Sequence, residues 1–207
     1  IGDFATIRVQ GDFSLAYLVF NTITNLTTED AQVECFANVA EHLEPGGRFV
    51  IENFIPVLHR LQPGETVVPI QVTPTQLDFD EYDIVNQTLH SHHYRVVEGQ
   101  LEVMSTPHRY VWPSELDLMA RHAGMTLSER WATWTREPFT STSPSHISVW
   151  EKQPAGRPPH PARRCGHLWK DGAPVREHVA CAGGRTTNTL VRGDFLLSSQ
   201  GVVRSEA

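Results

Sequence analysis

The chain has 207 residues, 40% of them hydrophobic, and a formal net charge of -7 from 17 Lys and Arg against 24 Asp and Glu. That length allows one sizeable core, and the acidic balance argues against nucleic acid as a partner, because phosphate binding needs clustered Lys and Arg. No apolar run approaches the ~18 residues of a membrane span, and the first ten residues lack the basic-then-apolar pattern of a signal peptide. Three cysteines, Cys35, Cys165 and Cys181, are too few for a disulfide framework. The expectation is a cytoplasmic protein without a membrane partner.

In chain order, the first clear element is "FSLAYLVF", residues 13–20, an apolar run without alternation. Such a run fits a strand buried on both faces, as in a parallel sheet. A helix is expected next. Thr27 or Thr28 can cap it, Glu29 and Asp30 suit its positive end, and Val33, Phe36, Ala37, Ala40 and Leu43 recur at helical spacing. Gly46 and Gly47 can take the positive φ favoured at a helix C-terminus, and "RFVIENF", residues 48–54, is the next strand. Strand, helix and strand with short joints make a right-handed βαβ unit, so 13–20 and 48–54 are expected to be adjacent and parallel.

From about residue 65 to 111 the pattern changes. "TVVPIQV", "DIVNQTLHSHHYRVV" and "QLEVMSTPHRYVW" read as antiparallel strands, with a tight turn at "VEGQ", residues 97–100. "WPSELDLMARHAGM" then reads as a helix with Pro113 in its first turn and Gly124 at its end. "TLSERWATW" and "SHISVWEK" are two final strands. Beyond residue 153 no period of either kind is sustained and Pro, Gly and Arg dominate, so 154–207 is expected to be a disordered tail. Charge marks the same boundary: residues 1–153 hold 9 Lys and Arg against 20 Asp and Glu, residues 154–207 hold 8 against 4. The domain reading is therefore 1–153 plus the tail.

Taken in order, "GDF" at residues 2–4, "FSLAYLVFNTITNL", "LEPGGRFVIE", "WPSELDLMARHAGM" and "SHISVWEK" resemble a class I S-adenosylmethionine-dependent methyltransferase, of the small-molecule type with an antiparallel insert after the fifth strand. The resemblance covers roughly residues 1–152. It implies an α/β fold, the C-terminal part of a Rossmann-like methyltransferase sheet with an antiparallel β insert. "FSLAYLVF" and "RFVIENF" would be its fourth and fifth strands, and the two final strands its sixth and seventh. It also implies S-adenosylmethionine as cofactor and a small molecule as methyl acceptor, at N or O. The family's glycine-rich Gly-x-Gly loop has no counterpart, because the sequence contains no Gly-x-Gly. "IGDF" matches the segment just after the third strand, so an N-terminally truncated chain, inactive alone, is expected. The alternative is an incomplete or inactive homologue acting as a binding module.

For the cofactor, the resemblance assigns Asp3 to the adenine amino group and the backbone of Phe4 to the adenine ring nitrogen. Phe20 and Asn21 fall at the carboxyl end of a strand, where open α/β sheets collect ligands. Ordinary readings stand beside these: Asp3 as a turn residue, Phe20 as core, Asn21 as a strand cap. In "HSHHYR", His92 and His93 are candidate bases if an acceptor must lose a proton near neutral pH. Partly exposed strand histidines and a His-x-His metal pair are the other readings of that run. No metal is expected. Cys165, His167, His178 and Cys181 lack a standard zinc spacing, and Arg109 has two readings, an anchor for an acidic substrate group or a surface salt bridge.

Overall fold

The computed structural model describes residues 2–154, 194–198 and 201–204. Strand β1 (Phe13–Leu18) leads through a 3-10 turn (Thr22–Asn25) into helix α1 (Glu29–His42) and strand β2 (Leu43–Phe54). β1 and β2 are neighbours and parallel, with Ala16 opposite Phe49 and Leu18 opposite Ile51, as the βαβ reading requires. The Thr28 hydroxyl caps α1 by accepting from the backbone N–H of Ala31 at 3.2 Å. The face of α1 that packs inward carries Cys35, Phe36, Val39 and Ala40, so Val33 and Ala37 lie at its margin rather than its centre.

The Pro-Gly-Gly joint differs from the expectation in an informative way. The helix ends at Leu43 in extended conformation, not on a left-handed glycine. Pairing then jumps from Phe13↔Leu43 to Leu15↔Arg48, so Glu44–Gly47 forms an excursion inside β2. Gly46 supplies the positive φ of 84°. Gly47 is needed for closeness: a Cβ there would lie 2.8 Å from the Glu44 carbonyl oxygen and 3.0 Å from that of Phe13.

The insert is a four-stranded antiparallel sheet of β3 (Val67–Thr73), β4 (Gln76–Asp83), β5 (Thr88–Val97) and β6 (Gln100–Arg109), adjacent in chain order. β4 was not among the expected strands. Its "QLDFDEYD" is too acidic to read as one, and residues 84–87, read as strand, form the turn instead. The β5–β6 turn is as expected, with Glu98 and Gly99 both at positive φ.

Helix α2 (Pro113–His122) follows, then β7 (Met125–Trp131) and β8 (Ser145–Lys152). β8 lies antiparallel between β2 and β7, so the last strand of the body opposes the direction of its neighbours. The main core forms where α1 and α2 cover this sheet, around Phe36, Phe49 and Trp150, with ring centroids 5.0 Å and 5.5 Å from Phe36. Beyond residue 154, β9 (Asp194–Ser198) pairs parallel with β1, and β10 (Gly201–Arg204) pairs antiparallel with β9. These two strands depart from the expectation of a tail without regular structure. The sheet order is β10-β9-β1-β2-β8-β7. The four Cys and His residues weighed as zinc ligands lie outside the described residues.

Candidate active site

β1 stops at Leu18 because Phe20 and Asn21 both turn left-handed, at φ 56° and 59°. Asn tolerates this region; for a bulky aromatic it costs about 1–2 kcal/mol. Both residues are tied to β2. The Phe20 N–H donates to Glu52 Oε2 at 3.1 Å, and Asn21 Oδ1 accepts from the Phe54 N–H at 2.8 Å. The Phe20 ring is left 84% exposed, so it is not core.

Phe20 and Asn21 form one side of an open cleft of about 250 Å³, with Thr24, Asn25 and Phe54 beside them. The opposite wall is the insert, through Ile70, Asp80, Leu89, Ser91 and His108. Register explains the set. Asp80 lies opposite Ser91, and Leu89 opposite His108, so these side chains share one face of the insert sheet.

Two hydrogen-bond chains organise this wall. The Ser91 hydroxyl donates to Asp80 Oδ1 at 2.7 Å, and His93 Nε2 lies 3.5 Å from the same hydroxyl. His93 Nδ1 is in turn 3.0 Å from Asp78 Oδ1. The second chain fixes a tautomer. The Thr24 hydroxyl donates to the Asn21 carbonyl at 2.8 Å, so toward His108 Nδ1, 3.2 Å away, Thr24 can only accept. Nδ1 therefore carries the hydrogen, and in the neutral ring Nε2 accepts from the Thr106 hydroxyl at 3.0 Å.

Burial sets the protonation states. It favours the neutral ring and pushes His108 below the ordinary imidazole range, although the Asp80 charge pulls the other way. It pushes the Asp80 carboxyl up, and the Ser91 hydrogen bond and the nearby histidines only partly offset that. For Asp78, burial pulls upward too, but hydrogen bonds from Gln76 and His93 outweigh it and the carboxyl is held low.

The structure brings together some of the expected site residues and separates others. Phe20 and Asn21 line the cleft. His93 shares the face of the insert sheet that carries Asp80 and Ser91, one hydroxyl away from Asp80, but is not itself among the cleft residues. His92 projects from the other face, where Nδ1 lies 2.7 Å from Ser105 Oγ and the ring stacks on Phe79 at 4.8 Å. Asp3 and Phe4 are not among the cleft residues. Asp3 is exposed and its Oδ1 accepts from the Ala5 N–H at 2.8 Å, while Phe4 packs against the main core. Asn38 of α1 holds that segment by donating to the Ile7 carbonyl at 3.0 Å.

Thr24, Asp80, Ser91 and His108 were missed as site residues. Arg109 is buried rather than at the surface. It donates to Gln32 Oε1 at 2.6 Å and to Glu115 Oε1 at 3.3 Å, so it joins the insert to both helices. The Cys35 thiol is fully buried, and burial, then the Asp3 charge, drives its pKa far up, so it is a core residue and not a nucleophile. Among the described residues no group of three or more His, Cys, Asp and Glu is placed to hold a metal ion, and no helix is long and apolar enough to cross a membrane.

No protein-family model matches the sequence, and no curated protein matches it. Solved structures do. The CcbJ methyltransferase from Streptomyces caelestis is 34% identical, with a TM-score of 0.66 over 74% of this chain and 63% of its own. An S-adenosylmethionine-dependent methyltransferase from Clostridium acetobutylicum is 10% identical, with a TM-score of 0.59 over 74% and 63%. An amino pentose methyltransferase from Micromonospora echinaspora, solved with S-adenosylmethionine bound, is 16% identical, with a TM-score of 0.54 over 73% and 63%. Together with the sheet order and the insert, these likenesses identify the chain as carrying the Rossmann-like α/β fold of the class I S-adenosylmethionine-dependent methyltransferases. It spans 63% of the length of each of these three structures.

Proposed function

We propose that the protein transfers a methyl group from S-adenosylmethionine to N or O of a small molecule, with the cleft between Phe20 and the insert receiving the acceptor. One observation carries this reading: the cleft opens at the carboxyl ends of β1 and β2, where open α/β sheets take their ligands, and it is roofed by an insert that presents hydrogen-bonding groups toward it. The 34% identity to the CcbJ methyltransferase supports it.

Bound S-adenosylmethionine would supply an activated methyl on a sulfonium. Asp3 and the Phe4 backbone are the proposed adenine contacts, and Phe20 and Asn21 flank the end nearer the reacting methyl. In-line displacement disperses charge rather than creating it, so the work of the chain is positioning. Phe20, Phe54 and Leu89 exclude water from the acceptor, and the Asn21 clip to Phe54 keeps the two strand ends at a fixed separation. If the acceptor must lose a proton, the neutral His108 is better placed than His92, and His93 reaches the cleft only through Ser91.

Without a Gly-x-Gly loop the chain is expected to hold the cofactor weakly. Losing several buried polar contacts at about 1–3 kcal/mol each turns micromolar affinity into millimolar or weaker. Calorimetric titration of S-adenosylmethionine into this chain and into a protein extended upstream of residue 1 tests the reading. Binding should appear in the longer protein and weaken with Asp3→Ala. No binding in the longer protein would overturn the function, and tight binding by the 207-residue chain would show the cofactor contacts to lie elsewhere.

A further inference from the structure

The geometry points to an ammonium-binding subsite on the insert, in which the Asp80 carboxylate and the neutral Nε2 of His108 hold a protonated amine. This rests on the cleft being the acceptor site and deepens that reading, because it selects an amine over a hydroxyl; the bound ammonium must give one proton to His108 Nε2 before its nitrogen has the lone pair that attacks a methyl group.

Among the described residues Asp80 has no cationic Arg or Lys partner. It is a half-buried carboxylate lining the cleft. The other carboxylate on the same face is already served: Asp78 has His93 at 3.0 Å and accepts from Gln76. Asp80 has a single neutral hydrogen bond, from Ser91. That bond occupies Oδ1 and fixes the rotamer, and a carboxylate has lone pairs to spare beyond one such bond. A half-buried carboxylate so placed is completed by a cation with N–H donors.

His108 supplies the second half. The Thr24 hydroxyl, committed to the Asn21 carbonyl, forces the hydrogen onto Nδ1, which makes Nε2 an acceptor. The Thr106 hydroxyl is the partner of Nε2, and a hydroxyl rotates away at little cost when a charged donor arrives. The cleft thus offers an anionic acceptor on β4 and a neutral acceptor on β6, the two strands that flank β5 on the cleft face, with Phe20, Phe54, Ile70 and Leu89 as apolar surroundings. An ammonium has three donors and no acceptor, which matches this wall. A hydroxyl brings one donor and no charge, so it leaves Asp80 without its counter-charge.

The probes are benzylamine, protonated at pH 7.5, and benzyl alcohol, its neutral near-isostere, titrated into the 207-residue chain by NMR without any cofactor. Benzylamine is expected to bind at least tenfold more tightly, with the largest shifts at Ser91 and His108. Asp80→Asn should reduce the preference below threefold, while Glu81→Gln, which removes a charge from the outer face, should keep it. Asn25→Lys, on the other wall of the cleft and outside the insert, should also cancel the preference, so a folding defect in the Asp80 variant does not decide the matter. Equal binding of the two probes, or a preference that survives both Asp80→Asn and Asn25→Lys, overturns the subsite. Because no methyl donor is present, the result stands apart from the cofactor titration: a cation preference in a protein that never binds S-adenosylmethionine would sink the methyltransferase reading and leave the subsite intact.

Discussion

His146 should make the protein acid-sensitive in a narrow window. Its side chain is fully buried on β8, with Nδ1 2.8 Å from Ser148 Oγ. Nε2 has no hydrogen-bond partner among the described residues. Burial first, and then the Arg130 charge, lower its pKa from 6.5 to about 4, with Asp117 pulling weakly the other way. The unfolded chain therefore takes up a proton at a higher pH than the folded one does. The stability from a neutral buried His146 is complete above pH 6.5 and is lost as pH falls toward 4. Over that interval the slope approaches 1.4 kcal/mol per pH unit, or about 3 kcal/mol in all. Urea unfolding measured at half-unit steps from pH 7.5 to 4.5 tests this. His146→Gln keeps an amide within reach of Ser148 but cannot titrate, so the difference between wild type and variant should shrink or reverse by about 2–3 kcal/mol across the window. Parallel pH profiles for the two proteins would refute the reasoning, because the carboxylates shared by both would then account for the whole acid response.

Arg109→Ala should cost about 3–5 kcal/mol in the same urea assay, because it strands Glu115 and Gln32 beside a buried gap. Gly47→Ala should destabilise by about 1–3 kcal/mol, since its Cβ meets two carbonyl oxygens that belong to backbone and cannot swing away. Phe20→Ala removes an exposed ring and should leave the unfolding midpoint unchanged; in a protein that methylates, the same change should cut turnover at least tenfold, and unaltered turnover would remove Phe20 from the site.

The unit from β1 through α1 to β2 was legible because the nearly unbroken apolar run "FSLAYLVF" and the apolar "FVI" of "RFVIENF" flank a capped helix with short joints. β4 was not. Leu77, Phe79 and Tyr82 are interleaved with Asp78, Asp80, Glu81 and Asp83, and carboxylates read as loop until a partner strand is known. The histidines show the same limit. "HSHHYR" drew attention by its composition, yet the imidazole that lines the cleft is His108, an isolated residue. Its signal was positional. Counting back from the 97–100 turn sets Thr106 against Ser91 and His108 against Leu89, and alternation then places all four on one face. Asp80 and Thr24 come from two further segments, and no local pattern could have joined them.

The way the insert is fastened constrains how the cleft can open. β6 is pinned to the body at its C-terminal end: His108 to Thr24, Arg109 to Gln32 and Glu115. β3, at the other margin of the same sheet, is an edge strand interrupted at Pro69, with Ile70 and Val72 largely exposed. β3 is itself held at its start, where Val68 is buried beside Val57 and Leu58 and Arg60 donates to the Pro69 carbonyl at 3.4 Å, so the sheet is fastened at two places and is loosest where Ile70 and Val72 stand exposed. Any widening of the cleft is therefore expected to begin at Ile70, the wall residue on the edge strand, and last at His108, the wall residue bonded directly to Thr24.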